Sequence, residues 1–306
     1  MFKLTWKHLG LALVLMLSLV LAACGGEEDE ETTEDSGDTE EATGADLGNE
    51  ELELVYVEWD SEVASTNVIA QVLESQGYDV DVTPIDNAVM WQSVASGDAD
   101  GMVAAWLPAT HGDLFDEFGD QVEQLGPNLE GAKIGLVVPE YMDISSIGEL
   151  ADVEGLDNTI TGIEPGAGVV QAAETSVEDY ALDGWEVQTS SSGAMATALG
   201  EAVDNEEPIV VTGWTPHWMF AAYDLKYLED PEESFGGAET IETMVRQGLE
   251  EDSPAAYQIL DQFNWEASDM EEVMLEVYNG TDIEEAAANW IEANPDKVDE
   301  WVAGLE

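Results

Sequence analysis

Short apolar runs alternate with amphipathic stretches along this chain, and the alternation occurs twice in the same order. In the first set, Glu51 to Val57 reads as a strand. Val63, Ile69, Val72 and Leu73 then share one face of a helix that Asp60 or Ser61 can cap and that Gly77 stops. Tyr78 to Val82 alternates as a second strand, Val89 to Ala95 suits a helix, and Gly101 to Ala105 makes a third strand ending at Trp106. In the second set, Thr159 to Ile163 reads as a strand and is followed by a helix from about Gly168 to Tyr180. A strand comes next near Trp185 to Gln188, then a helix opened by Ser192 or Gly193, and a run from Pro208 to Thr212 leads to Trp214. Between the sets, Lys133 to Val138 is a further apolar run before Pro139, read as a strand passing from one lobe to the other. Beyond Gly236 the spacing is helical, through Ile241, Met244 and Val245, then Tyr257, Ile259 and Leu260, then Met270 to Tyr278 and Ala286 to Ile291. The pattern predicts an α/β protein of two similar αβ lobes joined by a hinge. Lobe 1 covers residues 52–140, completed by C-terminal helices over 236–306, and lobe 2 covers residues 141–235.

The N-terminus reads differently. Lys3 and Lys7 precede an apolar stretch from Leu9 to Leu21, which predicts an export signal over residues 1–23 that is too short for a membrane span. Cys24, the only cysteine, stands where cleavage would leave it first, and Leu21-Ala22-Ala23-Cys24-Gly25 resembles the lipobox of bacterial lipoproteins. The alternative is a plain secretory peptide with an incidental cysteine. Residues 24–51 are dominated by Glu, Asp, Thr, Gly and Ser, which predicts an acidic, disordered tether.

Charge narrows the possible partners. The chain carries 69 acidic and 6 basic residues, a formal net charge of −63. Once the leader is removed, the basic residues are Lys133, Lys226, Arg246 and Lys297, so nucleic acid and anionic lipid headgroups are excluded as partners. The acids are spread along the whole chain, as expected of a solvated surface in a high-salt host, where screening shortens to a few ångströms.

Chemistry concentrates where the predicted strands open into loops. Trp59, Trp106 and Trp214 each follow a short apolar run, at the carboxyl ends of strands where open α/β sheets bind ligands. Three indole rings facing one crevice suit a methylated cation, attracted by about 0.5–2 kcal/mol per ring face. The alternative for any one tryptophan is packing, which is the reading for Trp91, Trp185, Trp265, Trp290 and Trp301. Glu164-Pro165-Gly166-Ala167-Gly168-Val169 lies between a strand and a helix and lacks the spacing and the lysine of a nucleotide loop. Its free backbone N–H groups suit a carboxylate. His111, five residues after Trp106, either closes its own turn or donates a hydrogen bond to the same carboxylate. No nucleophile elbow, zinc-type histidine pair or cysteine nucleophile occurs, and Asp98 to Gly101 is too short for a calcium loop. The reading is therefore a non-enzyme with no catalytic residue, metal or cofactor.

Five segments carry a family resemblance. Glu58 to Asn67, Ala105 to Pro108 with His111, Gly135 to Met142, Gly162 to Gly168, and Thr212 to Phe220 are together similar to the glycine betaine-binding lipoproteins of OpuA-type ABC importers, from about residue 52 to the C-terminus. The resemblance implies a two-lobed, periplasmic-binding-protein-like clamshell. It also implies a cation box of Trp59, Trp106 and Trp214, and carboxylate contacts from the backbone amides of Gly168 and Val169 and from His111. A permease with its ATPase would be the partner, and a lipid on Cys24 would hold the protein at the extracellular face of the cytoplasmic membrane. Glycine betaine or proline betaine is the expected ligand, with carnitine, choline, or a surface sensor that never meets a permease as alternatives. The acidic tether departs from the family pattern.

Overall fold

The structure, a computed structural model, describes residues 46–305. The export signal, Cys24 and the tether as far as residue 45 lie outside the described residues. Order begins before the expected boundary: the Leu47 carbonyl accepts from Tyr78 Oη (2.9 Å) and Asn49 N donates to the Asp252 carbonyl (2.7 Å).

Strand β1 (Glu51–Tyr56), helix α1 (Asp60–Ser75), β2 (Asp79–Pro84), α2 (Asn87–Ser96) and β3 (Gly101–Leu107) form the first βαβαβ unit. Helix α3 (Gly112–Phe118) leads into β4 (Val122–Pro139), an 18-residue strand. The second unit is β5 (Thr159–Thr161), α4 (Gly168–Asp179), β6 (Glu186–Gln188), α5 (Ser192–Asn205) and β7 (Val211–Thr215). The one-turn helix α6 (Met219–Ala222), β8 (Leu225–Tyr227) and β9 (Glu239–Arg246) follow. Then come α7 (Leu249–Asp252), α8 (Pro254–Gln262), α9 (Ala267–Tyr278), α10 (Ile283–Ala293) and α11 (Pro295–Trp301). In each unit the first strand lies between the other two and pairs parallel with both. The repeat seen in the apolar runs is thus a repeat of topology.

Strand β4 belongs to both lobes. Val122 to Ala132 pair antiparallel with β9, whereas Lys133 to Val137 pair with β7 and Val137 to Pro139 with β8. The two crossings between lobes lie side by side, because Ala132 at the first is the register partner of Glu239 at the second.

One element differs in type from its sequence reading. Ile241, Met244 and Val245 lie not on a helix but on β9, inserted between β3 and β4. Helices α2 and α8 pack against it and most of its side chains are buried, so the alternation of a half-exposed strand is missing and the apolar residues fall at helical spacing by chance. Its β-branched content, with Thr240, Ile241, Thr243 and Val245, is the signal that favours a strand. The C-terminal helices therefore begin at Leu249, and α8, α9 and α10 pack against α1. Trp265, Trp290 and Trp301 form an aromatic cluster among these helices, with Trp290 and Trp301 stacked at 5.6 Å.

Candidate functional site

The carboxyl ends of β1, β3 and β7 bring Trp59, Trp106 and Trp214 to one small cavity between the lobes. Gly168 and Val169 line it from the start of α4, and Ser61, Thr110, Ile134, Ile163 and Ala167, none of them read as a ligand contact in the sequence, complete the walls. Each indole is pinned by its N–H. Trp59 Nε1 donates to Glu164 Oε2 (3.0 Å), Trp106 Nε1 to Glu62 Oε1 (2.8 Å) and Trp214 Nε1 to Ser61 Oγ (3.2 Å). The first and third of these bonds join one lobe to the other.

The start of α4 brings backbone N–H groups to the same cavity, whose wall holds no basic residue. Gly166, at φ 94°, makes the turn that a side chain would resist, and Ala167, the N-cap of α4, has no group to offer the helix end. The N–H groups of Gly168 and Val169 are buried and have no acceptor among the described residues. His111 is buried, 6.0 Å from the Trp59 ring and 6.0 Å from the Trp91 ring. Its Nδ1 accepts from the Trp106 backbone N–H (3.1 Å), so the ring closes its own turn and carries its proton on Nε2, which has no partner among the described residues. Burial pushes the His111 pKa down to about 3, so the imidazole is neutral at ordinary pH.

Helix α1 takes no side-chain cap from Asp60 or Ser61. Its N-cap is Trp59, and the Asp60 carboxylate is engaged across the cleft. Asp60 accepts from Trp218 Nε1 (2.8 Å) and Ser192 Oγ (3.0 Å), with His217 Nε2 at 3.6 Å. Trp218 also stacks on Tyr278 of α9 at 3.9 Å, whereas Glu58 faces solvent. Burial works to raise the Asp60 pKa, but the bond and charge of His217 and the bonds from Trp218 and Ser192 outweigh it and hold the group at about 2. Because those partners sit on the other lobe, the lowered pKa stabilises closure. The contribution is full above the ordinary carboxylate pKa of about 3.9 and is lost as pH falls toward 2. Asp60→Asn is accordingly expected to lower the closed fraction at pH 7, measured by small-angle scattering, and its difference from wild type should vanish near pH 2. A wild-type closed fraction matched by the variant at pH 7 would refute the latch.

Glu239, at the crossing between lobes, holds the loop that carries Thr110 and His111. Its Oε1 accepts the N–H groups of Ala109 (2.7 Å) and Thr110 (2.8 Å), and its Oε2 accepts from Thr110 Oγ1. Glu239→Ala strands these donors and is expected to cost about 2–3 kcal/mol in urea unfolding, with Glu239→Gln costing less because it keeps an acceptor. Equal losses in the two variants would show that the bonds are unimportant.

Two α/β lobes closing on a small aromatic cavity define a solute-binding protein of the clamshell type. The model of the substrate binding domain of ABC-type glycine betaine transport systems matches residues 50–293, and the chain belongs to that family. A glycine betaine/carnitine transport binding protein of Listeria monocytogenes is 56% identical over 155 residues, 50% of this chain and 52% of that protein, so the match spans about half the relative's length. Lactococcal OpuAC, solved in its closed-liganded conformation complexed with glycine betaine, is 53% identical with a TM-score of 0.80, covering 83% of this chain and 99% of that one. A choline binding protein solved in complex with choline is 29% identical with a TM-score of 0.78, covering 84% and 92%.

Proposed function

We propose that the chain captures glycine betaine outside the cytoplasm and presents it to the permease of an ABC importer, with osmotic protection as the result. The observation that carries this reading is the polarity of the cavity. Three indoles from two lobes line it, together with two acceptor-free amides at a helix N-terminus. A quaternary ammonium group suits the first and a carboxylate the second. Trp59, Trp106 and Trp214 hold the cation in this reading, and Gly168 N, Val169 N and the free Nε2–H of His111 hold the carboxylate. Contacts from both lobes make occupancy favour closure. The chain acts by binding and release, without catalysis, and a lipid on Cys24 keeps it at the membrane surface. Mass spectrometry of protein purified from membranes tests that anchor, which predicts a diacylglycerol adduct on Cys24.

Calorimetric titration with glycine betaine, proline betaine, carnitine and choline tests the ligand. Saturable heat at one site is expected for the betaines. Choline, which offers no carboxylate to α4, is expected to bind far more weakly. Choline binding as tight as glycine betaine would remove the carboxylate pole from the reading.

A further inference from the structure

Behind the indole walls lies one acid that ties two of them together. Glu62, in the first turn of α1, is fully buried. Its Oε1 accepts from Trp106 Nε1 (2.8 Å) and from Ser61 Oγ (3.3 Å), and Ser61 Oγ in turn accepts from Trp214 Nε1 (3.2 Å). A tryptophan from each lobe is therefore oriented, directly or through one hydroxyl, by a single carboxylate. The other oxygen, Oε2, has no hydrogen-bond partner among the described residues.

A buried carboxylate with a free oxygen is either neutral or opposed by a cation. Among the described residues, no lysine or arginine supplies that cation. Lys133 lies over the Tyr227 ring at 3.7 Å, Lys226 bonds the Met142 carbonyl, Arg246 pairs with Asp100 and Asp252, and Lys297 pairs with Asp269. The positive charge that can face Glu62 is the one the indoles admit.

We propose that Glu62 is the counter-charge and positioning residue of the cation box, so that capture of a quaternary ammonium ion ionises it and releases its proton to solvent. The proposal rests on the betaine reading of the cavity and adds to it a charge that the tryptophans alone do not provide. Burial lifts the Glu62 pKa to about 7 against the lowering effect of the Trp106 and Ser61 bonds, so the unliganded acid is part-protonated near neutrality. Other ionisable groups set around the indoles are Asp60 on α1, bonded to Trp218, His111 after β3, Glu164 before α4, bonded to Trp59, His217 after β7, and Glu271 on α9. Asp60, held at about 2, and His111, at about 3, keep their charge state above pH 5. Glu271, raised by burial, is the group the test must separate from Glu62.

The test is calorimetric titration of the wild-type chain and Glu62→Gln with glycine betaine from pH 5.5 to 8.5, at pH 7 in both phosphate and Tris. The wild type is expected to bind about tenfold more weakly at pH 5.5 than at pH 8.5, equivalent to one unit of pKa change on binding. A buffer-dependent heat should report release of a fraction of a proton. Glu62→Gln, checked for an unaltered tryptophan emission spectrum, should bind more weakly than wild type at pH 8.5, with a flat pH profile and no proton release. A flat wild-type profile without buffer dependence overturns the proposal and needs no variant. A pH dependence that survives in Glu62→Gln assigns the proton to another group, Glu271 first among them, and also overturns it. Wild type that binds no betaine at any pH overturns the betaine reading itself, and this proposal with it.

Discussion

Gly168→Ala is expected to abolish betaine capture while leaving both lobes folded. A β-carbon at this position would stand 2.1 Å from the Thr110 carbonyl oxygen and 2.7 Å from Thr110 Cγ2. The oxygen is backbone, and its loop is held by the Glu239 carboxylate, so it cannot swing aside as a side-chain tip would. The lobes would have to part by more than an ångström, which separates the Gly168 and Val169 amides from the indoles opposite. Alanine is well tolerated in the first turn of a helix, so α4 itself is not weakened. Affinity should fall at least about 100-fold, or roughly 2.7 kcal/mol, with a thermal midpoint close to that of the unliganded wild type. A dissociation constant within threefold of wild type would show that closure does not bring these backbones together.

Trp214→Ala should have an effect of similar size for a different reason. The ring is buried at 4% exposure, packs edge-on against His217 at 4.5 Å, and is tied to Ser61 across the cleft. Truncation removes one face of the cation box and the tie between lobes. It also strands Ser61 Oγ without its donor. Together these are expected to weaken glycine betaine binding by about 100-fold or more, combining a cation–π contact with a lost hydrogen bond. Trp214→Phe keeps a smaller ring face and loses the N–H with the pyrrole half of the indole, so its loss should be about tenfold. An alanine variant that titrates like wild type would remove Trp214 from the box.

These two residues were legible in the sequence for a physical reason. Trp59, Trp106 and Trp214 each follow a short buried strand, and a strand's carboxyl end is where an α/β lobe can expose a side chain to a cleft. Gly168 was legible because a turn before a helix leaves its amides free. The carboxylates that orient the site were not. Glu62 and Glu239 are two acids among 69, and nothing local separates a buried acceptor from a solvated surface charge. Asp60 was read as a helix cap because its partners, Ser192 and Trp218, lie more than 130 residues away in the chain. His111 admitted two roles, and the structure shows the turn-closing one while leaving its second nitrogen free. Strand β9 was misread because burial by helices erases the alternation that marks a strand.

The pairing of Ala132 with Glu239 gives the chain a nested topology. From Val122 to Ala132 and back from Glu239 to Arg246, β4 and β9 are the two arms of an antiparallel hairpin whose tip is the entire second lobe, residues 133–238. Closing so long a loop between unstructured ends costs conformational entropy that grows with the logarithm of its length. If the inserted lobe folds first, its own strands bring Lys133 and the return segment together, and the hairpin closes as though across a tight turn. Lobe 1, which contains both termini of the described chain, then completes last around a finished insert. A destabilising change in the core of the second lobe, such as one at Leu136 or Ile160, should therefore slow formation of β4–β9 pairing far from the altered side chain.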